Sequence, residues 1–332
     1  MRTTKELYDL LLDVEELTPI DEMLVGDRNV WPVLRVYAAT RLVRKTPDFV
    51  SRSRQPRWFG VWQEKLRQET LDKADDSFQT LRPAGFLTID YSSHRTEKVD
   101  GKGFNPHLDP LHYFWKERRG LHLEVAFSPS RLAHSYYAPS VSLMSRLHRY
   151  RMKVGFSKRH WTPQMFQWCN KMEKLFNDSY FHSENVSLWI DMLLAAEAMF
   201  EDILDEVRPS AVFVAGFYDP ILFAAVRIAK SRSIPVVDIQ HEPLLEKHYG
   251  YHGWKRMNDQ CYAYLPQHLW RWTAADSDNL LHSFKKESID IHTSGNPYED
   301  MRQSLAGNTS IEVKWNAFFE SLVNAKDSDT AN

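Results

Sequence analysis

The stretch from Val207 to Tyr251, VRPSAVFVAGFYDPILFAAVRIAKSRSIPVVDIQHEPLLEKHYGY, constrains the fold more than any other part of the 332-residue chain. Ala211 to Phe217 is an apolar run of strand length, and Asp219-Pro220 follows it as N-cap and first-turn residue of a helix reaching about Ser231. Ile234 to Ile239 is a second apolar run, rich in β-branched residues. Strand, helix and strand in roughly 30 residues make a βαβ unit, which requires a parallel sheet covered on both faces. Ligands of such sheets bind beyond the carboxyl ends of the strands. Tyr218-Asp219 follows the first strand there, and Gln240-His241-Glu242 follows the second.

The flanks read as more of the same layered architecture. Helical spacing of Leu7, Leu10, Leu11, Val14 and Leu17, then of Trp31, Leu34, Ala38 and Leu42, predicts a helical preface within residues 1–80. Phe86 to Ile89 opens the sheet, and Leu121 to Phe127 is its second strand. Between them lies a long polar loop containing Arg95, Asp100, Gly101, Lys102, Asn105 and Asp109. Residues 128–207 read as a helical crossover, including a helix that starts at Thr162-Pro163. Gln260 to Leu265 and Ile289 to His292 are short strand candidates. Asn296 caps a helix with Pro297 at its first position, and Ile311 to Val323 is a last amphipathic helix before a polar tail. The expected division is 1–80, 81–297 and 298–332.

Composition narrows the function classes. A net charge of −2 gives no reason to expect a nucleic-acid partner. Cys169 and Cys261 are far apart and form no CxxC, which points to two free thiols in a reducing compartment and away from a zinc motif. The amino terminus has no secretory signal and no window reaches a membrane span, so a cytoplasmic protein is expected. No GxGxxG, Walker A, HExxH or GxSxG occurs.

Among residues that can do chemistry, Gln240-His241-Glu242 is the strongest group, with His248, Tyr249, Tyr251 and His252 close behind it. His241 can take a proton from a hydroxyl; Glu242 can orient it or be the base itself. A strand-end histidine that merely satisfies backbone groups is the alternative. Asp219 reads as an N-cap, at a helix start that can also hold an anion beside Tyr218. Arg95 and Lys102 can clamp an acidic ligand, or simply be solvated. The basic run Arg146 to Arg159 suits either an anionic membrane surface or a solvated helix face. Asp276-Ser277-Asp278 matches a metal-holding DxD and equally a capping turn.

Arg208-Pro209 through IPVVDIQH, then HYGYHGW, SGNP at Ser294 to Pro297, and Trp31-Pro32-Val33-Leu34-Arg35 together resemble bacterial surface-polysaccharide (capsule and O-antigen) glycosyltransferases of two-Rossmann-domain (GT-B) architecture. The likeness covers their N-terminal half. It implies a Rossmann-like parallel sheet flanked by helices. It also implies a nucleotide-sugar donor as substrate, a glycan or lipid-linked acceptor, no further cofactor, and catalysis by His241 or Glu242. Tyr218, Asp219, Gln240, His248, Tyr251, Asn296, Arg95 and Lys102 would line the substrate site. Glu242 stands where that family has glycine. The family's second Rossmann domain is not expected within residues 298–332, so a second chain or self-association would supply it, with docking on the inner membrane face as a further expectation. A non-catalytic acceptor-binding or scaffolding protein that partners a nucleotide-binding subunit is the alternative.

Overall fold

A computed structural model describes residues 4–16, 18–43, 81–95, 97–99, 102–125, 140–154, 157–243, 248–280, 282–285 and 288–329. Expectations for 44–80, for Asp100 and Gly101, and for 126–139 lie outside the described residues. Seven strands form one parallel sheet: β1 (Leu87–Tyr91), β2 (Leu121–Val125), β3 (Ser140–Ser142), β4 (Val212–Val214), β5 (Val236–Ile239), β6 (His268–Arg271) and β7 (Asp290–Thr293). Their spatial order is β7-β6-β5-β4-β1-β2-β3. The chain therefore builds outward from β1 in one direction, crosses back, and builds outward from β4 in the other. Connections leave β1 and β4 to opposite sides, which opens a crevice at their carboxyl ends. The architecture is mixed α/β and Rossmann-like, as expected.

Alternation along the strands explains why both faces must be covered. Leu87, Ile89, Val212, Val214, Val236 and Leu269 join one hydrophobic core with the helices Thr4–Glu16, Trp31–Val43, Pro163–Phe176, Ser183–Val207 and Pro220–Ser231. Phe86, Phe213, Val237, Ile239 and Trp270 face the other way, against Phe114, Trp115 and the C-terminal helix Ser310–Asp329. That second core is aromatic: Trp315 stacks on Trp270 with ring centroids 4.2 Å apart, and Phe319 stacks on Trp115 at 4.3 Å.

Local chemistry sets the element ends. Asp219 Oδ1 accepts the N–H groups of Ile221 (2.8 Å) and Leu222 (3.2 Å), with Pro220 at the first helical position. Asn296 caps Pro297–Leu305 by accepting the Tyr298 N–H at 2.9 Å. The Asp276 N–H donates to Thr273 Oγ1 (3.2 Å), whose hydroxyl donates to Asp276 Oδ2 (2.8 Å). Thr273 thus caps the helix Ala274–Leu280, and Asp276, in its first turn, is engaged in that cap. Both cysteines are buried and free. No helix among the described residues is long and apolar enough to cross a membrane. Arg146, in the basic helix Met144–Val154, pairs with Glu206 at 3.0 Å.

Several expected elements differ. Gln260 to Leu265 is not a strand: Asn258 Oδ1 accepts the Cys261 N–H at 2.9 Å and starts the helical turn Asp259–Tyr262, and the strand lies later, at β6. β3 interrupts the expected helical crossover. Ser-Val-Ser has one apolar residue and leaves no run to read. β4 stops at Val214, short of Phe217, because Gly216 takes a left-handed φ of +81° and its N–H turns to Asp238. The loop after β1 contains a two-stranded ribbon, Glu97–Val99 with Lys102–Phe104, and the helix Asp109–Phe114. The last helix runs on to Asp329, past its expected end at Val323.

Trp315, fully buried, stacks on Trp270 of the second sheet face and also donates its indole N–H to Asp300 at 3.0 Å. Trp315→Ala is expected to cost about 3–5 kcal/mol, as for other buried aromatic truncations. Urea denaturation would show it as a lowered midpoint.

Candidate functional site

The carboxyl ends of β1, β4, β5 and β6 gather one polar cluster at the switch point. Gly216 leaves β4 and makes room for His241, which follows β5: a Cβ at position 216 would lie 2.7 Å from His241 Cε1. Tyr218 comes next and packs against Gly250, where a Cβ would lie 2.4 Å from Tyr218 Cδ1. Gln240 is buried and pins the turn: its Nε2 donates to the Glu242 carbonyl (3.0 Å), and its Oε1 accepts the Trp272 N–H (2.8 Å).

A directed chain of hydrogen bonds follows. The Tyr218 hydroxyl has one proton, and it donates this to Glu242 Oε1 at 2.7 Å. The 3.2 Å contact between Tyr218 Oη and His241 Nε2 is then an imidazole N–H donated to the phenol oxygen. His241 Nδ1 consequently carries a lone pair, and it has no hydrogen-bond partner among the described residues. On the far side, the Gly250 N–H donates to His248 Nδ1 (3.1 Å), which places the His248 proton on Nε2, 3.0 Å from Glu242 Oε1. The base, the phenol and the carboxylate thus stand in series, with His248 bracing the carboxylate.

The charges suit that order. Burial, with the nearby charges of His248 and Arg271 and against the opposing pull of Glu242, lowers His241 to about 4, so it is a neutral imidazole at neutral pH. Burial alone would raise Glu242. The His248 hydrogen bond, the His241 charge and the Tyr218 hydroxyl bring it down to about 2, so it is a carboxylate.

Two further histidines complete the wall. The His94 ring lies 5.2 Å and the His107 ring 6.1 Å from that of His241. Burial lowers both, His107 to about 3. Trp272 lies parallel to His107 at 6.4 Å. His107 is aimed by an Asx turn: Asn105 Oδ1 accepts the N–H of His107 (2.8 Å) and of Leu108 (3.2 Å), while Asp109 Oδ2 accepts the Asn105 N–H (2.8 Å). Asn105 also hydrogen-bonds Asp90, which burial pushes up to about 7 and which stands 3.7 Å from His94 Nδ1. Behind Asp90, His122, Thr88 and His112 continue a buried polar chain with contacts of 3.1, 2.8 and 2.8 Å.

His241, Glu242, Tyr218, Gln240, His248 and Tyr251 therefore come together. Tyr251 acts from below, donating to Asp238 at 3.0 Å. Asp219 sits beside them, and its carboxylate takes the free N–H groups of the helix start that an anion would need. Arg95 is 3% exposed, paired with Glu124 (3.3 Å) and donating to Ser140 (2.8 Å). Lys102 is exposed on the ribbon, and Asn296 caps its helix beyond β7, two strands from β5. His94, His107, Asp90, Arg271 and Trp272 are members of the cluster that sequence reasoning did not single out. The Asn105-to-Asp109 capping pattern was the available signal for His107.

No family model matches the chain, and no curated protein matches it. Among solved structures it is similar to the UDP-GlcNAc 2-epimerase from Neisseria meningitidis bound to UDP-GlcNAc, at 15% identity and a TM-score of 0.32, over 71% of this chain and 53% of that one. The chain thus spans about half the length of that structure.

Proposed function

We propose that this chain is a glycosyltransferase-like protein of surface-polysaccharide assembly, which transfers a sugar from a nucleotide-sugar donor to a hydroxyl of a glycan or lipid-linked acceptor. The observation that carries the reading is His241: a neutral imidazole at the crevice, one nitrogen tied through Tyr218 to an ionised Glu242, the other, Nδ1, buried and without a hydrogen-bond partner among the described residues. A base oriented by a second group and backed by a carboxylate is the arrangement proton abstraction requires. In the reaction, the acceptor oxygen bonds to the anomeric carbon as the bond to the nucleoside diphosphate breaks. The hydroxyl proton passes to the His241 imidazole, whose buried Nδ1 a side-chain movement on acceptor binding must uncover, and Glu242 stabilises the imidazolium through the Tyr218 hydroxyl. Three neutral imidazoles with Trp272 make a wall of flat faces and hydrogen-bonding edges that suits a polyhydroxylated ring. The resemblance of its short motifs to those of surface-polysaccharide glycosyltransferases supports this substrate class.

Calorimetric titration of the pure protein with nucleotide sugars and nucleoside diphosphates, followed by assay of sugar transfer, tests this reading. One nucleotide should bind saturably and support transfer, and His241→Ala should lower kcat/KM by about 10²–10⁴-fold, the usual worth of a general base. An unchanged rate in that variant would overturn the assignment. Binding without transfer would favour the partner-dependent, non-catalytic alternative.

The pH profile is a second check. A base of depressed pKa loses activity only when acid protonates it, so the acid limb of kcat/KM should fall well below the ordinary histidine value of 6.5, toward about 4. Glu242 pulls that value upward, so Glu242→Gln should move the limb to still lower pH while slowing the reaction.

A further inference from the structure

A second histidine cluster lies on the last two strands of the sheet, apart from the crevice. The parallel register sets His268, the first residue of β6, opposite Asp290, the first residue of β7; His292 is two residues further along β7, opposite Trp270. Side chains two apart on a strand share a face, so Asp290 and His292 project to the side on which His268 projects from β6. His268 Nδ1 is 3.2 Å from His292 Nε2 and 3.4 Å from Asp290 Oδ2. All three ligand atoms lie within 4.8 Å of one another, and among the described residues no other such group of His, Cys, Asp and Glu does.

The geometry points to a binding site for a divalent transition metal of the Zn²⁺ class at His268, Asp290 and His292. Zinc bound tetrahedrally at about 2.0–2.1 Å sets its ligand atoms about 3.3–3.4 Å apart, the edge of that tetrahedron. The two measured separations, 3.2 and 3.4 Å, are close to such edges, and the third, between Asp290 and His292, is within 4.8 Å. Two imidazoles and one carboxylate favour Zn²⁺, Co²⁺, Ni²⁺ or Cu²⁺ over Mg²⁺ and Ca²⁺, which take oxygen ligands. Three protein ligands leave a fourth position for water. A metal here would tie the edge strand β7 to β6. It would also reach the C-terminal helix through the His292 ring, which packs against Phe318 at 5.2 Å. The site is independent of the reaction at His241.

A tag-free, chelator-stripped protein titrated with ZnCl₂ by calorimetry tests the site, with Co²⁺ visible absorption reporting coordination geometry and MgCl₂ as the control. One Zn²⁺ should bind per chain, Mg²⁺ should not bind, and Zn²⁺ should raise Tm. Asp290 is 73% exposed, so Asp290→Asn leaves the fold intact and should weaken Zn²⁺ binding at least tenfold. His292→Ala should weaken it by more than the roughly 10–100-fold that loss of an outer-shell partner costs. Absence of saturable micromolar binding overturns the proposal. So does binding that both variants leave unchanged, because the metal then sits elsewhere and the two rings simply share a hydrogen bond.

Discussion

The site depends on one buried ion pair. Asp238, on β5, and Arg271, at the end of β6, are both fully buried and meet at 3.0 Å. A carboxylate taken out of water is costly unless its oxygens are satisfied, and Asp238 fills both. Oδ1 accepts the Gly216 N–H at 2.9 Å; Oδ2 accepts Arg271 and the Tyr251 hydroxyl, each at 3.0 Å. These partners come from the turn after β4, from β6 and from the segment after β5. The same atoms that neutralise the charge therefore fix Gly216, over which His241 lies, and Tyr251, in the segment that carries His248. Arg271 also lies over the Tyr251 ring at 4.5 Å. Replacing either charge alone would leave its partner stranded, so the pair gives geometric definition more than net stability.

Around this floor the side chains sort by charge. Burial keeps His241, His94 and His107 neutral, while Glu242 remains ionised because His241, His248 and Tyr218 all address it. Asp90, deeper in and pushed up to about 7 by burial, is flanked by buried Asn105 and His122 and by half-buried His94. A neutral wall with one carboxylate suits hydroxyl chemistry. The helix start after β4, which could have bound a phosphate, is closed by Asp219. Basic groups for a leaving diphosphate are accordingly sparse among the described residues of the cluster: Arg271 is paired with Asp238 and Arg95 with Glu124.

The βαβ unit was legible because its signals are local: an apolar run, an Asp-Pro cap and a second run. From it followed the carboxyl edge, and with that His241, Glu242, Gln240 and Tyr218. His94 and His107 were not legible, because their place depends on how the loop after β1 folds back, pinned by Asn105 to Asp90. Arg271 and Trp272 were lost with the misplaced strand: Cys261, Tyr262 and Leu265 look like a strand, yet Asn258 caps that segment into a helical turn. β3 was hidden for a different reason. Its edge position asks for backbone pairing, and one valine between serines does not announce it.

Trp31-Pro32-Val33-Leu34-Arg35 shows how far the site's support extends. Arg35 is fully buried; its Nε donates to Glu15 at 2.6 Å, and its two terminal nitrogens donate to the carbonyls of Tyr249 and His252. The guanidinium also lies over Trp254 at 4.5 Å. Two interior carbonyls and a carboxylate must all find donors, and a planar fork reaches three acceptors at once where a lysine ammonium would be poorly matched. Glu15 in turn is held beside Trp31 Nε1 at 3.3 Å, on the facing helix. The two N-terminal helices therefore grip the segment of residues 249–252, immediately beyond His248. The chain from His248 through Glu242 and Tyr218 to His241 is thus anchored at one end to the sheet, by Asp238, and at the other to the helical layer, by Arg35. Dipoles fixed at both ends need little reorganisation when a proton moves, which is where electrostatic support of a reaction gains its effect.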